Sequence, residues 1–497
     1  MPRRGEKLYD VPLMNKDRMS YPVLQLFNTE SRRLEPVVPT AANTLKMYTC
    51  GPTVYHFAHI GNFRTYVFED VLRRTIRFFG MNVQQVMNLT DVDDKTIRGA
   101  LEKGVTLKEF TEPYIKAFFE DIETLGMEKA EAYPAATEYI PSMIALIQTL
   151  LKRGVAYVAS DKSVYYSIRK FPSYGRLSHL DMQELKAKQQ LESVDEYDKD
   201  NVADFVLWKA HDETRDGQIF WESPFGRGRP GWHIECSAMA MELLGPSIDI
   251  HAGGVDNMFP HHENEIAQCE GCTGTRFVRI WVHAEHLLVD HKKMSKSLGN
   301  FYTLRDLIEK GFTGRQVRFM LLSSHYRMQL NFTLEGLKGA AASLERIDAC
   351  IYRLREMEDP LVFGKVGPLL RNIYEGFSLA LADDLNMAKA LASLFDGIRA
   401  FNALMDQKLI GKSEALEVLR VFQEIDRVLG VLFTQEESIP KELAALLEQR
   451  EKARLAKNWK VADECRDMLQ SKGYAIEDTP KGARLKKTRT PCAKNEE

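Results

Sequence analysis

The sequence of 497 residues contains no run approaching the roughly 18 consecutive apolar residues of a membrane-spanning helix. Its first twenty residues, MPRRGEKLYDVPLMNKDRMS, lack an apolar signal core and read as a short N-terminal extension. Both absences speak against a membrane protein and predict cytoplasmic residence. Net charge is scarce too: 67 Lys and Arg against 70 Asp and Glu leave −3, which gives the whole chain no reason to attract a polyanion. Cysteine is sparse and odd in number, seven residues at positions 50, 236, 269, 272, 350, 465 and 492. That pattern argues against a disulfide framework and predicts reduced thiols or metal ligands. Internal repeats and extended low-complexity segments are missing. What is present is ordinary for soluble globular protein, 44% apolar and 28% charged residues, in a length that suits about three domains.

Charge is uneven only near the end of the chain, where Lys481 to Lys494 holds six Lys or Arg and no acid. Such a stretch is either a solvated tail or a contact for nucleic acid.

The segment TLKMYTCGPTVYHFAHIGNFRTYVFEDVLRRTIRFFGMNVQQVMNLTDVDDK is clearly punctuated. A β-prone run ends at Cys50, apolar residues recur with helical period at Phe63, Val67, Val71, Leu72, Ile76 and Phe79, Gly80 stops the helix, and a second β-prone run covers Val83 to Leu89. This strand-helix-strand unit predicts a parallel sheet with ligands at the carboxyl ends of its strands. The same grammar returns with a strand at Ile248 to His251, a turn at Gly253-Gly254, a helix from His261 and a strand at Val278 to His283. The expected organisation is a first sheet half over 21–130, an insertion over 131–225 with a charged stretch DMQELKAKQQLESVDEYDKDN, and a second half over 226–300. A connecting region follows over 301–340, then a helical bundle over 341–435 and a small domain with the basic tail over 436–497.

Three stretches can carry chemistry. HIGN, residues 59 to 62, lies where a loop enters a helix, so backbone N–H groups and the positive helix end point at one space, and Gly61 permits close approach of a phosphate. KKMSKSLGN, residues 292 to 300, is either a solvated basic loop or one whose lysines close over a triphosphate; Thr303 and Asp306 then form a capping box. FPHHENEIAQCEGC, residues 259 to 272, offers two metal pairs: Cys269-x-x-Cys272, which has no second CxxC in the chain to complete it, and His261 with Glu265 one helical turn on. An H-x-x-x-E pair also serves as a surface ion pair or cap.

HIGN and KMSKS together resemble the two signatures of class I aminoacyl-tRNA synthetases. With CGPTVYHFAHIGNFRT, NLTDVDDK, GWHIECSAM, FPHHENEIAQ and KMSKSLGN in this order, the chain resembles the cysteinyl-tRNA synthetases over essentially its whole length. The resemblance implies an α/β architecture: a Rossmann-like parallel-sheet catalytic domain with an inserted connective domain, an α-helical bundle that binds the anticodon, and a small C-terminal domain. It implies a zinc ion on Cys50, Cys236, His261 and Glu265, with His262 a neighbour of no metal role and Cys269 and Cys272 left as thiols. Trp232 matches the floor of the cysteine pocket, and Thr90, Gly51 and Asp256 match positions near the amino acid's polar groups. His59, Gly61 and Asn62 would hold ATP phosphates, and Lys296 with Lys293 would stabilise charge as pyrophosphate leaves, magnesium entering with ATP. The commoner tetrad ends in His where this chain has Asn62, which excludes a cationic imidazole there. The implied partners are L-cysteine, ATP and tRNA(Cys), and a monomer is expected. In the tail, Arg454, Lys457, Trp459 and Arg466 combine cations with an aromatic ring suited to anticodon bases, although the helical spacing of NWKVADECRDML predicts that Trp459 itself is buried.

Two rivals share these motifs: a ligase that passes activated cysteine to an amino-sugar conjugate, and a noncatalytic RNA-binding relative. More than 60 residues follow position 430, including the basic tail, which favours an RNA substrate. The intact motifs favour catalysis.

Overall fold

The computed structural model describes residues 22–40, 42–180, 204–295, 299–359, 366–433, 441–479 and 482–487. Its centre is a four-stranded sheet in the order Val278–Ala284, Ile248–Gly254, Thr44–Thr49, Asn82–Met87, with every neighbouring pair parallel. The two halves that the sequence grammar separates therefore join edge to edge, Met47 opposite Ile250 and Thr49 opposite Ala252. Ile248–Gly254 is buried along its whole length, as a parallel strand covered on both faces must be. The join puts Cys50, whose N–H donates to Ala252 O (3.3 Å), at the carboxyl ends of adjacent strands, where open α/β sheets bind ligands.

The helix Ile60–Phe78 begins at His59 with a reciprocal cap: Asn62 N–H donates to His59 Nδ1 (3.2 Å) and His59 N–H to Asn62 Oδ1 (3.1 Å). Gly80 follows in the left-handed region, φ +84°, and turns the chain into the next strand. In the second half the long helix is Glu263–Thr273, two residues later than its sequence period predicts. Phe259 is extended and Pro260 has no N–H to give a helix, so His261 and His262 sit on a wide turn ahead of it.

Residues between the halves form an antiparallel sheet, Ala156–Val158, Val164–Tyr166, Phe205–Ala210 and Gly228–Pro230 in that order. Its last strand carries the inserted unit past residue 225. The charged stretch 181–201 lies outside the described residues. Helices Leu334–Arg355, Gly367–Ala382, Met387–Asp406 and Lys412–Leu429 make the bundle, whose apolar faces share one core with Ile60–Phe78.

A buried ionic hub ties bundle to catalytic helix. Asp70 accepts from Arg318 (2.5 Å) and Arg74 (2.8 Å), and Arg318 also donates to Leu429 O (2.7 Å) at the end of the last bundle helix. Arg74 completes the hub through Gly126 O (2.7 Å) and Arg427 O (3.3 Å). Both Asp70 and Arg318 are buried and satisfied by these contacts, as the desolvation of such a pair demands.

The C-terminal unit pairs helices Lys441–Leu455 and Trp459–Ser471 with a hairpin, Tyr474–Thr479 and Gly482–Lys487. The expected burial of Trp459 is wrong: the ring is 61% exposed. The face of its helix that packs is Ala462, Cys465 and Leu469, and Trp459 sits in the first turn, at the end of the helical hairpin where Leu455 is exposed too.

Candidate active site and metal centre

At the sulfur-rich end of the cleft, Cys50 follows the first strand, Cys236 lies on the helix Trp232–Leu244, His261 on the wide turn and Glu265 on the following helix. Their ligand atoms lie within 4.8 Å of one another and all four residues are buried. His261 Nε2 is 3.3 Å from Cys236 Sγ and 3.1 Å from Glu265 Oε1, yet this oxygen accepts no hydrogen bond. Glu265 Oε1 is thus a buried carboxylate oxygen without a hydrogen-bond donor, lying among two sulfurs and an imidazole. The donor set of two sulfurs, an imidazole and a carboxylate fits a tetrahedral zinc ion. The thiol of Cys50 is pushed well above its ordinary pKa by its contact with Cys236, by burial and by the Glu265 and Glu69 charges, a crowding of negative groups that a divalent cation relieves.

A second set overlaps the first: Cys50 and Glu265 with His251 and His262. These histidines have other commitments. His251 Nε2 holds Glu265 Oε2 at 2.9 Å and so turns Oε1 toward the shared point. His262 is more than a neighbour, because its Nε2 lies 3.2 Å from Cys50 Sγ while its Nδ1 meets His283 Nε2 at 2.8 Å and His283 Nδ1 meets the Thr29 hydroxyl at 2.7 Å. This chain of contacts from Thr29 through His283 and His262 ends at the Cys50 sulfur. On the other side His261 Nδ1 lies 2.9 Å from His233 Nδ1, which leaves its Nε2 to face the cluster. Burial pulls His233 down to about 4 and His283 to about 3, and holds His261 and His262 low as well, so these four imidazoles are neutral rather than cationic.

The residues that the resemblance assigns to the substrate pocket are spread along the cleft. Trp232 is 42% exposed and stacks on His261 with 4.3 Å between ring centroids. Gly51 and Thr90 are joined through Asn88: Gly51 N–H donates to Asn88 Oδ1 (3.0 Å) and Asn88 Nδ2 to Thr90 Oγ1 (3.1 Å). A Cβ on residue 51 would stand 1.8 Å from Asn88 O, so only glycine fits. Asp256 is exposed, with its charge felt at His59.

At the phosphate end the two signatures interlock. Ile60 N–H donates to Tyr302 O (2.9 Å), His59 pairs with Thr303, and a Cβ on Gly61 would meet the Met294 methyl at 2.6 Å. Asn300 closes the neck of the basic loop, accepting from Ser295 N–H (2.8 Å) and donating to Lys293 O (3.2 Å). Thr303 caps the helix Leu304–Glu309 with Asp306 as its reciprocal partner. Lys293 is exposed at the end of a short strand, and Lys296 lies outside the described residues. Because His59 Nδ1 accepts the Asn62 N–H, its proton sits on Nε2. Burial pulls its pKa down to about 4, so it offers a neutral donor. Asn62 spends its oxygen on the cap and keeps its amide N–H groups to give.

The model of the class I (C) tRNA synthetase catalytic domain matches residues 36–342, that of the DALR domain 376–434, and that of the cysteinyl-tRNA ligase anticodon binding domain 436–484. The cysteine–tRNA ligase of Protochlamydia amoebophila is 56% identical over 477 residues, which cover 95% of this chain and 100% of that protein. The chain belongs to the cysteinyl-tRNA ligases. The corresponding protein of Chlamydia muridarum is 55% identical over 474 residues, 93% of this chain and 99% of its own. Beyond the family the fold alone is shared. Mycobacterium tuberculosis methionyl-tRNA synthetase, solved with methionyl-adenylate, superposes at a TM-score of 0.57 with 14% identity over 78% of this chain and 88% of its own. A putative arginyl-tRNA synthetase from Campylobacter jejuni does so at 0.51 with 13% identity, covering 78% and 91%. The architecture is thus that of a class I synthetase with a parallel-sheet catalytic domain and helical anticodon-binding domains.

Several family-motif residues gain roles that sequence reasoning missed. Glu263 accepts from the backbone of Gly175, Leu177 and Ser178 (2.8, 3.1 and 2.9 Å), and Asn264 bonds Tyr174, so the ENE run pins the inserted unit against the candidate metal cluster. Asn88 stands two residues before Thr90 in NLTDVDDK, the one local signal that marked it.

Proposed function

We propose that the chain activates L-cysteine with ATP and transfers it to the 3′-terminal ribose of tRNA(Cys). The observation that carries this reading is the convergence of Cys50, Cys236, His261 and Glu265 on one point beside Trp232, at the carboxyl ends of the sheet, in a member of this family. A zinc ion held by these four residues would accept the substrate sulfur and prefer it to the oxygen of serine, a distinction an apolar pocket makes poorly.

The chain's own groups do the positioning. Trp232 floors the pocket, and Thr90, Gly51 and Asp256 face the amino and carboxylate groups. One carboxylate oxygen of cysteine then attacks the α-phosphorus of ATP in line, and pyrophosphate leaves. His59 Nε2–H and the Asn62 amide donate to phosphate oxygens beside Gly61. Lys296 and Lys293 supply the positive charge that the leaving pyrophosphate needs. The 2′-hydroxyl of the terminal ribose, the usual acceptor in class I enzymes, next attacks the carbonyl carbon of cysteinyl-adenylate, and AMP departs. Magnesium arrives as the counter-ion of ATP. Positioning and charge stabilisation carry the rate, with no separate general base required.

Among the described residues no helix is long and apolar enough to cross a membrane. With the six cysteines among the described residues all free thiols, a reducing cytoplasm and a monomeric enzyme are the setting we propose. Cysteine-dependent ATP–pyrophosphate exchange followed by charging of purified tRNA tests the reading, with both signals expected. Exchange without charging would favour a ligase for a small amine acceptor, and absence of both would leave a binding protein.

A further inference from the structure

The mouth of the cleft carries a surface to which no role above is assigned. The loop before His59 exposes Tyr55 and Phe57 to solvent, 37% and 38%, although rings of this size are ordinarily withdrawn from water. The loop is held firmly: Val54 N–H donates to Thr90 O and Thr90 N–H to Pro52 O, both at 3.0 Å. The rings continue inward without a break. Phe57 meets Tyr114 edge-on at 5.4 Å, His56 lies parallel to Tyr114 at 6.3 Å, and Phe301 packs edge-on against both His56 and His59 at 6.1 and 5.2 Å.

Cations are set among these rings. Lys95 Nζ lies 4.8 Å from the Tyr55 centroid, the Arg305 guanidinium 5.3 Å from that of Phe57, and Lys103 Nζ 5.8 Å from that of Tyr114. Arg305 also pairs with Glu120 (2.7 Å) and Asp121 (3.4 Å), so Lys95 and Lys103 carry most of the local positive charge. Exposed rings interleaved with ammonium groups suit a ligand that has flat π-faces and regularly spaced negative charge. Single-stranded nucleic acid has both, and stacks bases on such rings while its phosphates face the cations.

We infer that Tyr55 and Phe57, with Lys95 and Lys103, form the docking platform for the unpaired 3′ end of the RNA substrate. The inference rests on the function proposed above, since a terminal ribose that reaches the activated cysteine must cross this rim. Continuity from Phe57 through Phe301 to His59 gives the path, and the preceding nucleotides lie over the rings. An apolar peptide would find the same rings but has no use for the lysines.

The full-length enzyme tests the platform in two ways. In Phe57→Ala and Tyr55→Ala, cysteine-dependent ATP–pyrophosphate exchange should stay within about twofold of the parent while kcat/KM for tRNA in charging falls about tenfold or more, the scale of one lost base-ring stack. Phe57→Tyr should restore charging. Charging unchanged in both alanine variants, or exchange and charging reduced together, would overturn the platform. The second test needs no turnover: fluorescence of Phe57→Trp should be quenched by an RNA hairpin ending in four unpaired 3′ nucleotides and not by the same hairpin with a blunt end. Equal quenching by both, or by neither, would also overturn it. A protein that shows end-dependent quenching but no exchange would keep the platform and sink the proposed function, so the two fail separately.

Discussion

The phosphate end of the cleft is built from neighbours in sequence, the sulfur end from strangers. His59 and Asn62 are three residues apart and each satisfies the other's backbone at the start of one helix. Cys50, Cys236, His261 and Glu265 come from four elements and meet only when both sheet halves are in place. The phosphate end is partly open and its polar groups have local partners. The sulfur end is buried, desolvation holds His233, His261, His262 and His283 neutral, and each group depends on one far away in the chain. Damage at the first end should be modest and local, and damage at the second large and cooperative.

The largest effect is expected from Cys236→Ser. The variant should lose about one zinc per chain by elemental analysis, and kcat/KM for cysteine should fall about 10^4-fold, as when a site built for one polar group must accept another. Unchanged zinc content would remove Cys236 from the metal set and dissolve the contrast. Next comes His251→Ala, which touches no substrate but releases Glu265. Zinc affinity measured by chelator competition should weaken about 10- to 100-fold. At the phosphate end, Asn62→Asp keeps the cap acceptor and loses the amide donor. KM for ATP should rise about tenfold while the melting temperature holds, because a carboxylate is welcome in the first turn of a helix. A fall in melting temperature as large as that of Asn62→Ala would show that the cap needs the amide.

The titration of His59 sharpens the same contrast. Its folded pKa, about 4, lies below the ordinary value near 6.5, so between the two the unfolded chain binds the extra proton. Its contribution to stability is therefore complete above about pH 6.5 and is lost as pH falls toward 4. KM for ATP should be flat from pH 6 to 8, and a step near 6.5 that vanishes in His59→Gln would refute the neutral assignment. The smallest effect on stability is expected outside the cleft. Trp459→Ala should alter unfolding free energy by no more than about 0.5 kcal/mol, as surface changes do, whereas a buried ring would cost about 3–5 kcal/mol.

The same division governs what could be read before the structure. Strand, loop, capped helix and glycine stop are encoded within about forty residues around HIGN, so local rules recover them together with the capping box at Thr303. The metal set was reached through resemblance to a family, because no spacing rule connects Cys50 to Cys236. His251, His262 and His283 were missed for a related reason: an isolated histidine carries no signal until the fold stacks several together. Trp459 was misread because period alone does not say where the facing helix ends. Asp70 and Arg318, two charges inside a core, had no local mark at all.

That last pair has a consequence for long-range geometry. Arg318 touches the helix that opens with the ATP signature and the final carbonyl of the bundle with the same guanidinium, so the two bodies have no hinge between them at this point. One side chain, at position 318, thus fixes the end of the bundle against the catalytic helix. Shortening that side chain would leave Asp70 with Arg74 as its remaining cationic partner and would release the end of the last bundle helix from the catalytic helix.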